Sequence, residues 1–340
     1  MPRNPTPWTL WCLLLVRLTV AQAPDYYDRL HSKGALEFSS DPLSESHVGR
    51  VTFNSSTYRL AHLATFLPLS NKGVVRAGSM DQALGVLLAV HHFNNKHESP
   101  IFRNDDSLIA SDCNVRLTVE IIDSQFDPIV STDTALKKVA ASYGGGVEPI
   151  PPAGIIGAYR SAVTSPVTLV AGAYKVPQIS AMSTSADFLN QEQYPFFGRT
   201  CPSSEGEGRV AVEYIHFLGR RFRKPMQYVG ILFVTDAYGV ALQRAFADSA
   251  TSLGITTLAY AFGYNPTEED LKKVILSLKA TQFHYFYVIC FESHVAAIMN
   301  AAAGVGIAGN DYFWLFHGPD MGALATRYPK GRFHCSVWTW

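Results

Sequence analysis

The chain has 340 residues, of which 47% are hydrophobic and 16% charged. This composition can bury a large core and excludes a disordered protein. The 28 lysines and arginines balance 28 aspartates and glutamates, and neither sign forms a long block. Because there is no basic patch or stripe in the sequence, the charge pattern excludes nucleic acid and anionic lipid as main partners.

Residues 1–23 predict a secretory signal peptide. They combine Arg3, an apolar run from Trp8 to Val16 and a small-x-small end at Ala21–Ala23, which are the three parts of such a signal. Arg17 interrupts the apolar part, so an N-terminal membrane anchor and a misplaced start codon stay open as alternatives. No later segment contains the run of about 18 apolar residues that spans a bilayer.

Four cysteines follow the signal peptide: Cys113, Cys201, Cys290 and Cys335. In an exported chain they permit one or two disulfides with three possible connectivities, and they suit buried thiols equally well. Cys290 lies in the apolar run HYFYVICF, which predicts a core position. No Cys or His pair has metal-ligand spacing, so neither a metal nor a cofactor is predicted. Asn54-Ser55-Ser56 is an N-glycosylation sequon and weakly supports export.

After a polar, turn-rich leader at 24–56, strand and helix signals alternate along the first lobe, 57–204. The predicted strands are Tyr58–Leu67, Val115–Ile122 and Ile155–Ile156, and the helices run from a capping box at Ser79 to near Asn95 and over Thr132–Ser142. This βαβα order favours a parallel sheet flanked by helices.

The second lobe, 205–340, repeats this order and is incomplete. Its predicted elements are strands at Tyr228–Val234, Ile255–Phe262, His284–Phe291 and Tyr312–Phe316, with helices at Gly239–Leu253, from Thr267, and at Ser293–Ala303. The sequence therefore predicts an α/β protein of two lobes, each a parallel sheet flanked by helices. In such sheets ligands lie beyond the carboxyl ends of the strands.

Two Ser/Thr clusters follow successive predicted strands of the first lobe, and their members are Ser161, Thr164 and Ser165 in one and Ser183, Thr184 and Ser185 in the other. Neighbouring parallel strands bring both helix starts to one rim, where hydroxyl and N–H groups can bind a carboxylate. The alternative is that each cluster only caps its own helix, with a contribution of about 1 kcal/mol.

Two residues of the second lobe are further ligand-binding candidates. Tyr238 in VTDAYG follows a strand, where its ring would cover a ligand, although it would equally suit a turn packed on its own lobe. His317 lies at a predicted strand end. Gly304, Gly306 and Gly309 spell GxGxxG, but they follow a helix and precede a strand, so they are predicted to end that helix. Hydrolase, metalloprotease and Walker motifs are absent from the sequence, which disfavours an enzyme.

Several segments, in order and spacing, resemble the type I periplasmic-binding-protein fold of receptor ectodomains. They are GAYRSAV, VPQISAMSTS, FFGRTCPS and FVTDAYG, and the similarity runs from Tyr58 to Trp338. The chain is most similar to class C G-protein-coupled receptors of the GABA-B and metabotropic glutamate kind. DSQFDP, TLVAGAY and FWLFHGPDMGA look particularly like the GABA-B branch.

The resemblance implies a two-lobed Venus flytrap that closes on a small carboxylate-bearing metabolite, an amino acid or a relative, in the cleft between its lobes. It assigns the carboxylate to Ser161, Ser183 and Thr184, with Tyr159 in the same turn as Ser161, and it assigns the contact from across the cleft to Tyr238. Amino-acid-sensing members often carry an acid directly after the Pro-Ser pair, where this chain has Ser204 and then Glu205. Asp320 matches a second acidic position only if the preceding loop shifts.

The resemblance also implies a receptor dimer at the extracellular face of the plasma membrane. It implies a G protein as partner through seven membrane helices after Trp340, so that the sequence would be a fragment of a receptor ectodomain or an incomplete gene model. A secreted solute-binding protein without receptor function is the first alternative, and an exported enzyme on a similar double-sheet fold is the second.

Overall fold

The structure is a computed structural model and describes residues 36–38, 48–53, 56–71, 73–95, 114–140, 152–221, 226–309 and 311–318. The predicted signal peptide, Asn54 of the sequon, Cys113, Cys335 and Asp320 lie outside the described residues. The chain divides into two compact units. The first contains the described residues up to Ser183 and Asn190–Thr200, and the second contains Thr184–Leu189 and the described residues from Cys201 onwards.

The first unit is built on a mostly parallel sheet. Its strands are β1 (Leu36–Phe38), β2 (Val48–Phe53), β3 (Ser56–Leu67), β6 (Val115–Asp123), β7 (Gly154–Gly157), β8 (Gln178–Ser180) and β9 (Phe197–Arg199), and a small hairpin joins β4 (Ser70–Asn71) to β5 (Val74–Val75). β3 pairs in parallel with β6 and with β7, and β8 and β9 continue the sheet beyond β7. β1 and β2 add to β3 in antiparallel orientation, so part of the predicted leader at 24–56 belongs to the sheet.

Three helices accompany this sheet: α1 (Ala77–Asn95), α2 (Pro128–Ala140) and α3 (Ser161–Ala173). α2 begins four residues before the predicted Thr132 because the Asp127 carboxylate accepts hydrogen bonds from the N–H groups of Ile129 and Val130, at 2.7 and 3.1 Å. Pro128 then suits the first helical position, where no N–H is needed. α1 likewise begins at Ala77, so Ser79 lies inside the helix rather than at its cap.

The core of the first unit lies between its sheet and the two helices α2 and α3. Its fully buried side chains include Phe66 of β3, Ile155 of β7, Val139 of α2 and Val167 of α3. Aliphatic and aromatic burial of this kind contributes roughly 1.5–3 kcal/mol per large side chain. This packing fixes the carboxyl end of β7 and the start of α3, where the candidate residues lie.

The second unit has a four-stranded sheet in which all strands are parallel. The strands are β10 (Tyr228–Val234), β11 (Thr256–Phe262), β12 (Tyr285–Ile289) and β13 (Phe313–His317), in the order β11-β10-β12-β13. Its helices are α4 (Ser204–Arg221), α5 (Ala237–Ser252), α6 (Glu268–Ala280) and α7 (Glu292–Val305). Two clusters of buried apolar side chains pack against this sheet. The predicted strand bounds of β10 match the structure, whereas α4 had no counterpart among the predicted elements.

Local chemistry explains where these helices begin and end. The Asp236 carboxylate caps α5 by accepting from the Gly239 N–H at 2.8 Å, and Thr267 caps α6 in a reciprocal capping box with Asp270. Gly306 ends α7 in the left-handed conformation, with φ 79°. The interpretation of the GxGxxG glycines as a helix end is thereby confirmed. The predicted fold class, α/β with parallel sheets flanked by helices, is confirmed as well.

Candidate functional site

The turn after β7 is held by a buried cluster of hydroxyl groups. The carbonyl oxygen of Ala158 accepts hydrogen bonds from the hydroxyls of Ser180, Thr164 and Ser183, at 2.7, 3.2 and 3.2 Å. All three donors have no exposed surface. Buried hydroxyls are nearly always hydrogen-bonded, and these three stabilise the carboxyl edge of the first sheet.

Ser183 connects the end of β8 to the first turn of α3. Its Oγ lies 2.6 Å from Oγ1 of Thr164, which places the turn after β8 against the first turn of α3. Its N–H donates to Oγ of Ser180 at 3.1 Å. The predicted ligand residue Ser183 therefore has partners inside the protein for both its hydroxyl and its N–H group.

Ser161 and Tyr159 flank the beginning of α3. Ser161 is the first helical residue and is 2% exposed. The preceding Arg160 has extended backbone, and its side chain makes no capping hydrogen bond; its guanidinium donates to the Phe126 carbonyl at 3.4 Å. The half-buried Tyr159 ring lies 5.7 Å from the Phe126 ring. The positive end of a helix dipole here favours an anion.

Thr184, the next residue after Ser183, differs from it in its hydrogen bonding. Oγ1 of Thr184 is buried, and among the described residues it has no hydrogen-bond partner. The Thr184 carbonyl accepts from the N–H of Ser204 at 2.7 Å, which joins this turn to the start of α4. A buried hydroxyl without a partner costs free energy unless water or a ligand binds it.

Tyr238 and His317 lie together at the carboxyl edge of the second sheet. The Tyr238 hydroxyl donates to the His317 carbonyl at 3.3 Å, and the two rings are 6.3 Å apart. Burial is the main cause that raises the pKa of Tyr238 well above its usual value, and the neighbouring Tyr287, Cys290, Glu207 and Asp236 raise it further. The Tyr238 hydroxyl is therefore neutral at physiological pH.

Two residues near Tyr238 and His317 were not among the sequence-based candidates. Glu207, in the first turn of α4, has its Oε2 atom 3.6 Å from Nε2 of His317. The ring of Tyr287, in β12, lies 6.1 Å from the His317 ring. An acidic residue in the first turn of a helix is a sequence signal that could have indicated Glu207. It was not available because α4 was not among the predicted helices. Tyr287 lies within an apolar run and gave no signal. Cys290 is fully buried, as predicted.

The described part of the chain contains no group of three or more His, Cys, Asp and Glu side chains that could hold a metal ion. Among the same residues, no helix has the length and apolar content required to cross a membrane.

Two α/β units with polar groups at the carboxyl edges of parallel strands define a ligand-binding protein of the open-sheet class. A sequence profile of the receptor family ligand-binding region matches residues 102–329. The chain belongs to this family, and the predicted resemblance to receptor ectodomains of this fold is confirmed.

Individual relatives agree with this membership. The chain is 26% identical to metabotropic glutamate receptor 4 of Mus musculus over 165 residues, which cover 48% of this chain and 17% of the relative. It is 27% identical to metabotropic glutamate receptor 8 of Homo sapiens over 166 residues, with coverages of 48% and 17%. With metabotropic glutamate receptor 6 of Oryctolagus cuniculus it shares 25% identity over 296 residues, with coverages of 75% and 33%.

These alignments therefore span between 17% and 33% of the relatives' own lengths. The relatives are receptors, which confirms the prediction that the chain is not an enzyme. They are metabotropic glutamate receptors, which confirms that part of the predicted resemblance. The finer likeness to the GABA-B branch stays a prediction from the segments quoted above. The predicted lobe bounds, 57–204 and 205–340, and the assignment of the six ligand-binding residues stay predictions too.

Proposed function

We propose that this chain is the extracellular ligand-binding domain of a cell-surface receptor and that it binds a small carboxylate-bearing metabolite, an amino acid or a relative, in a cleft between two lobes. Membership of the receptor family supports the receptor role. The names of the metabotropic glutamate receptors support an amino-acid ligand. In this proposal the receptor is a dimer, and closure of the lobes is transmitted through a transmembrane region to a G protein.

The single observation that carries the ligand site is the Thr184 hydroxyl. Its Oγ1 is buried without a hydrogen-bond partner among the described residues, whereas the neighbouring Ser183 hydroxyl is bonded twice. A group that is buried and left unsatisfied is one that a ligand can satisfy at no loss of an existing hydrogen bond. In this proposal Thr184 donates to the ligand carboxylate and Ser183 holds the turn that carries it.

The remaining candidates take roles that their positions support. Ser161 and Tyr159 lie at the start of α3, where the helix dipole favours the carboxylate. Tyr238 and His317 contribute an aromatic surface at the edge of the second sheet. A ligand shifts the lobes towards closure only by the extra contacts that it makes in the closed state.

The test is a thermal-unfolding screen of the chain against the twenty L-amino acids and short organic acids. A compound at free concentration c that binds the native state stabilises it by RT ln(1 + c/Kd), so the melting temperature rises with the logarithm of the ligand concentration once the site is nearly saturated. Ser161→Ala and Thr184→Ala should each abolish the ligand-induced rise. Thr184→Ala should leave the melting temperature without ligand nearly unchanged, because it breaks no hydrogen bond seen among the described residues. Ser277→Ala serves as the matched control, because its hydroxyl is exposed and bonds only within α6.

A ligand-induced rise that survives in both Ser161→Ala and Thr184→Ala would show that the site is elsewhere. Absence of any rise in the unsubstituted chain would reject the proposed ligand class. Sequencing of the transcript beyond the codon for Trp340 separates a receptor from a secreted binding protein. Seven apolar segments of about 20 residues support the receptor, and a stop codon without them supports the secreted protein.

A further inference from the structure

β11 is an edge strand of the second sheet, and the side of β11 that faces away from β10 is open. Among the described residues, β11 pairs with β10 alone. Thr256 and Leu258 are exposed on one face of the strand, and Ala259 and Ala261 are exposed on the other. Because neither flanking helix covers these residues, the open edge is accessible to another strand.

The backbone groups of alternate β11 residues point to this open edge. The Thr256 N–H donates to the Gln227 carbonyl, and the Phe262 carbonyl accepts from the Thr235 N–H, each at 2.8 Å. Along a parallel strand, the N–H and C=O of one residue point to one neighbouring strand, and those of the next residue point to the opposite side. Since Thr256 and Phe262 face β10, every second residue between them faces outwards. The outward-facing residues are Thr257, Ala259 and Ala261.

The sequence of β11 lacks the features that protect edge strands from pairing. The segment TTLAYAF contains no charged residue, no proline and no glycine. Its pairing with β10 runs without a bulge from Thr256 to Phe262. Natural edge strands are usually protected by lysine, by proline or by a bulge. An uncharged, regular strand in which Leu258 is 44% exposed is therefore a surface for strand pairing.

We propose that β11 pairs in antiparallel orientation with β11 of a second copy of this chain and so joins the two four-stranded sheets into one. The two-fold axis passes through Ala259, which faces its own copy, and Thr257 faces Ala261 of the second copy. These pairs consist only of outward-facing residues, and each pair exchanges two hydrogen bonds. A register shifted by two residues in either direction keeps one pair fewer.

The strand is complementary to itself, which favours a second copy over a segment of another protein. In the proposed register Leu258 lies opposite Tyr260 at the positions without hydrogen bonds, where cross-strand side chains are closest. The two-fold symmetry repeats this aliphatic and aromatic pair on both sides of the axis. No charges oppose each other, because the strand carries none.

The inference goes beyond the proposed function, since the pairing requires neither a ligand nor any residue of the candidate ligand site. A single strand edge buries less surface than a standard protein interface. The dissociation constant of the dimer should therefore be weaker than about 1 μM. Dimer formation is measured by sedimentation velocity of the full chain from about 1 μM to about 1 mM.

The experiment uses charge pairs that report on the register. In Thr257→Lys/Ala261→Lys, ammonium groups would face each other across the two-fold axis, and in Thr257→Glu/Ala261→Glu carboxylates would do so. Each double variant alone should associate at least about tenfold more weakly than the unsubstituted chain, because like charges oppose each other. An equimolar mixture of the two should recover the dimer, because each ammonium group then faces a carboxylate.

Ala297→Lys/Asn300→Lys is the matched control, since it adds the same charge at two exposed positions of α7. It should leave the association of the chain unchanged. A second measurement needs no substitution. Amide exchange at Thr257, Ala259 and Ala261 should slow as the concentration of the unsubstituted chain rises, whereas the Leu258 amide, which faces β10, should be protected at every concentration.

Four results would overturn the inference: no dimer up to about 1 mM, a dimer that persists in both like-charged variants, a mixture of these variants that stays monomeric, and outward-facing amides whose exchange is independent of concentration. The second result would assign the dimer to another surface. None of them bears on the ligand site, because the ligand-induced rise in melting temperature is measured separately. That rise should be the same in the like-charged variants as in the unsubstituted chain.

Discussion

Hydroxyl groups that look alike in the sequence have two different roles in the structure. Thr164, Ser180 and Ser183 direct their hydroxyls to the Ala158 carbonyl and stabilise the turn after β7. The Thr184 hydroxyl has no such partner among the described residues. Ser183 and Thr184 are adjacent and were given the same role from the sequence, so only their burial and partners distinguish them.

Replacement of Ser183 by alanine should lower the free energy of unfolding by about 1–2 kcal/mol, because Thr164 loses a buried partner. Thr184→Ala should stay within about 0.5 kcal/mol of the unsubstituted chain, since it breaks no hydrogen bond seen among the described residues. Urea unfolding measures both. Equal losses in the two variants would contradict the division into structural and ligand-binding hydroxyls.

Among the secondary-structure elements, α4 is a helix that the sequence pattern did not predict. Its buried positions include Gly208, Val212, Ile215 and Leu218, which follow a helical period. The predicted element order omitted this helix because glycines and charged residues interrupt the apolar stripe in SEGEGRVAVEY. Gly208 lies on this stripe, where α4 approaches α5 closely. A larger residue does not fit, because an added Cβ would lie 2.8 Å from the backbone of α5 at Ala245.

Gly208→Ala should therefore destabilise the second unit by about 1–3 kcal/mol, because α4 cannot keep its approach to α5. Gly206 in the same helix has nothing within 4 Å of an added Cβ. Gly206→Ala should be neutral or more stable by up to about 1 kcal/mol through helix propensity. Chemical unfolding of both variants tests the close packing, and a Gly208→Ala protein as stable as Gly206→Ala would refute it.

At the scale of the whole molecule, each unit has a buried core of its own, and a charged cluster gives the first unit a distinct response to acid. Glu120 on β6 lies 3.7 Å from the His62 imidazole of β3 and 2.7 Å from the Lys138 ammonium of α2. The His62 imidazole and the Lys138 ammonium hold the pKa of Glu120 at about 2, below its usual 4.5. The cluster thus connects three elements of the first unit.

Because the pKa of Glu120 is lower in the folded state, its stabilisation is present above about pH 4.5 and is lost as the pH falls towards 2. Glu120→Gln should lower the stability at pH 6 and leave it nearly unchanged at pH 2. The carboxylate is 38% exposed, so solvent screening reduces the effect. Asp133→Asn, in the exposed pair with Lys137, is the control and should have little effect at either pH. Chemical unfolding at pH 6 and at pH 2 measures the stability of both variants. An equal loss of stability in Glu120→Gln at the two pH values would disprove the role of the ionised carboxylate.

The sequence by itself determined the α/β class, the β10 strand and the glycine end of α7, because these follow from local apolar runs and backbone preference. It also determined the family, through segments that keep their order and spacing. The tertiary structure alone decided that Ser183 is satisfied and Thr184 is not, that α4 packs on α5 at Gly208, and that Glu207 and Tyr287 both lie near His317. Hydrogen-bond partners and burial depend on groups distant in the chain, and no local pattern encodes which of them meet.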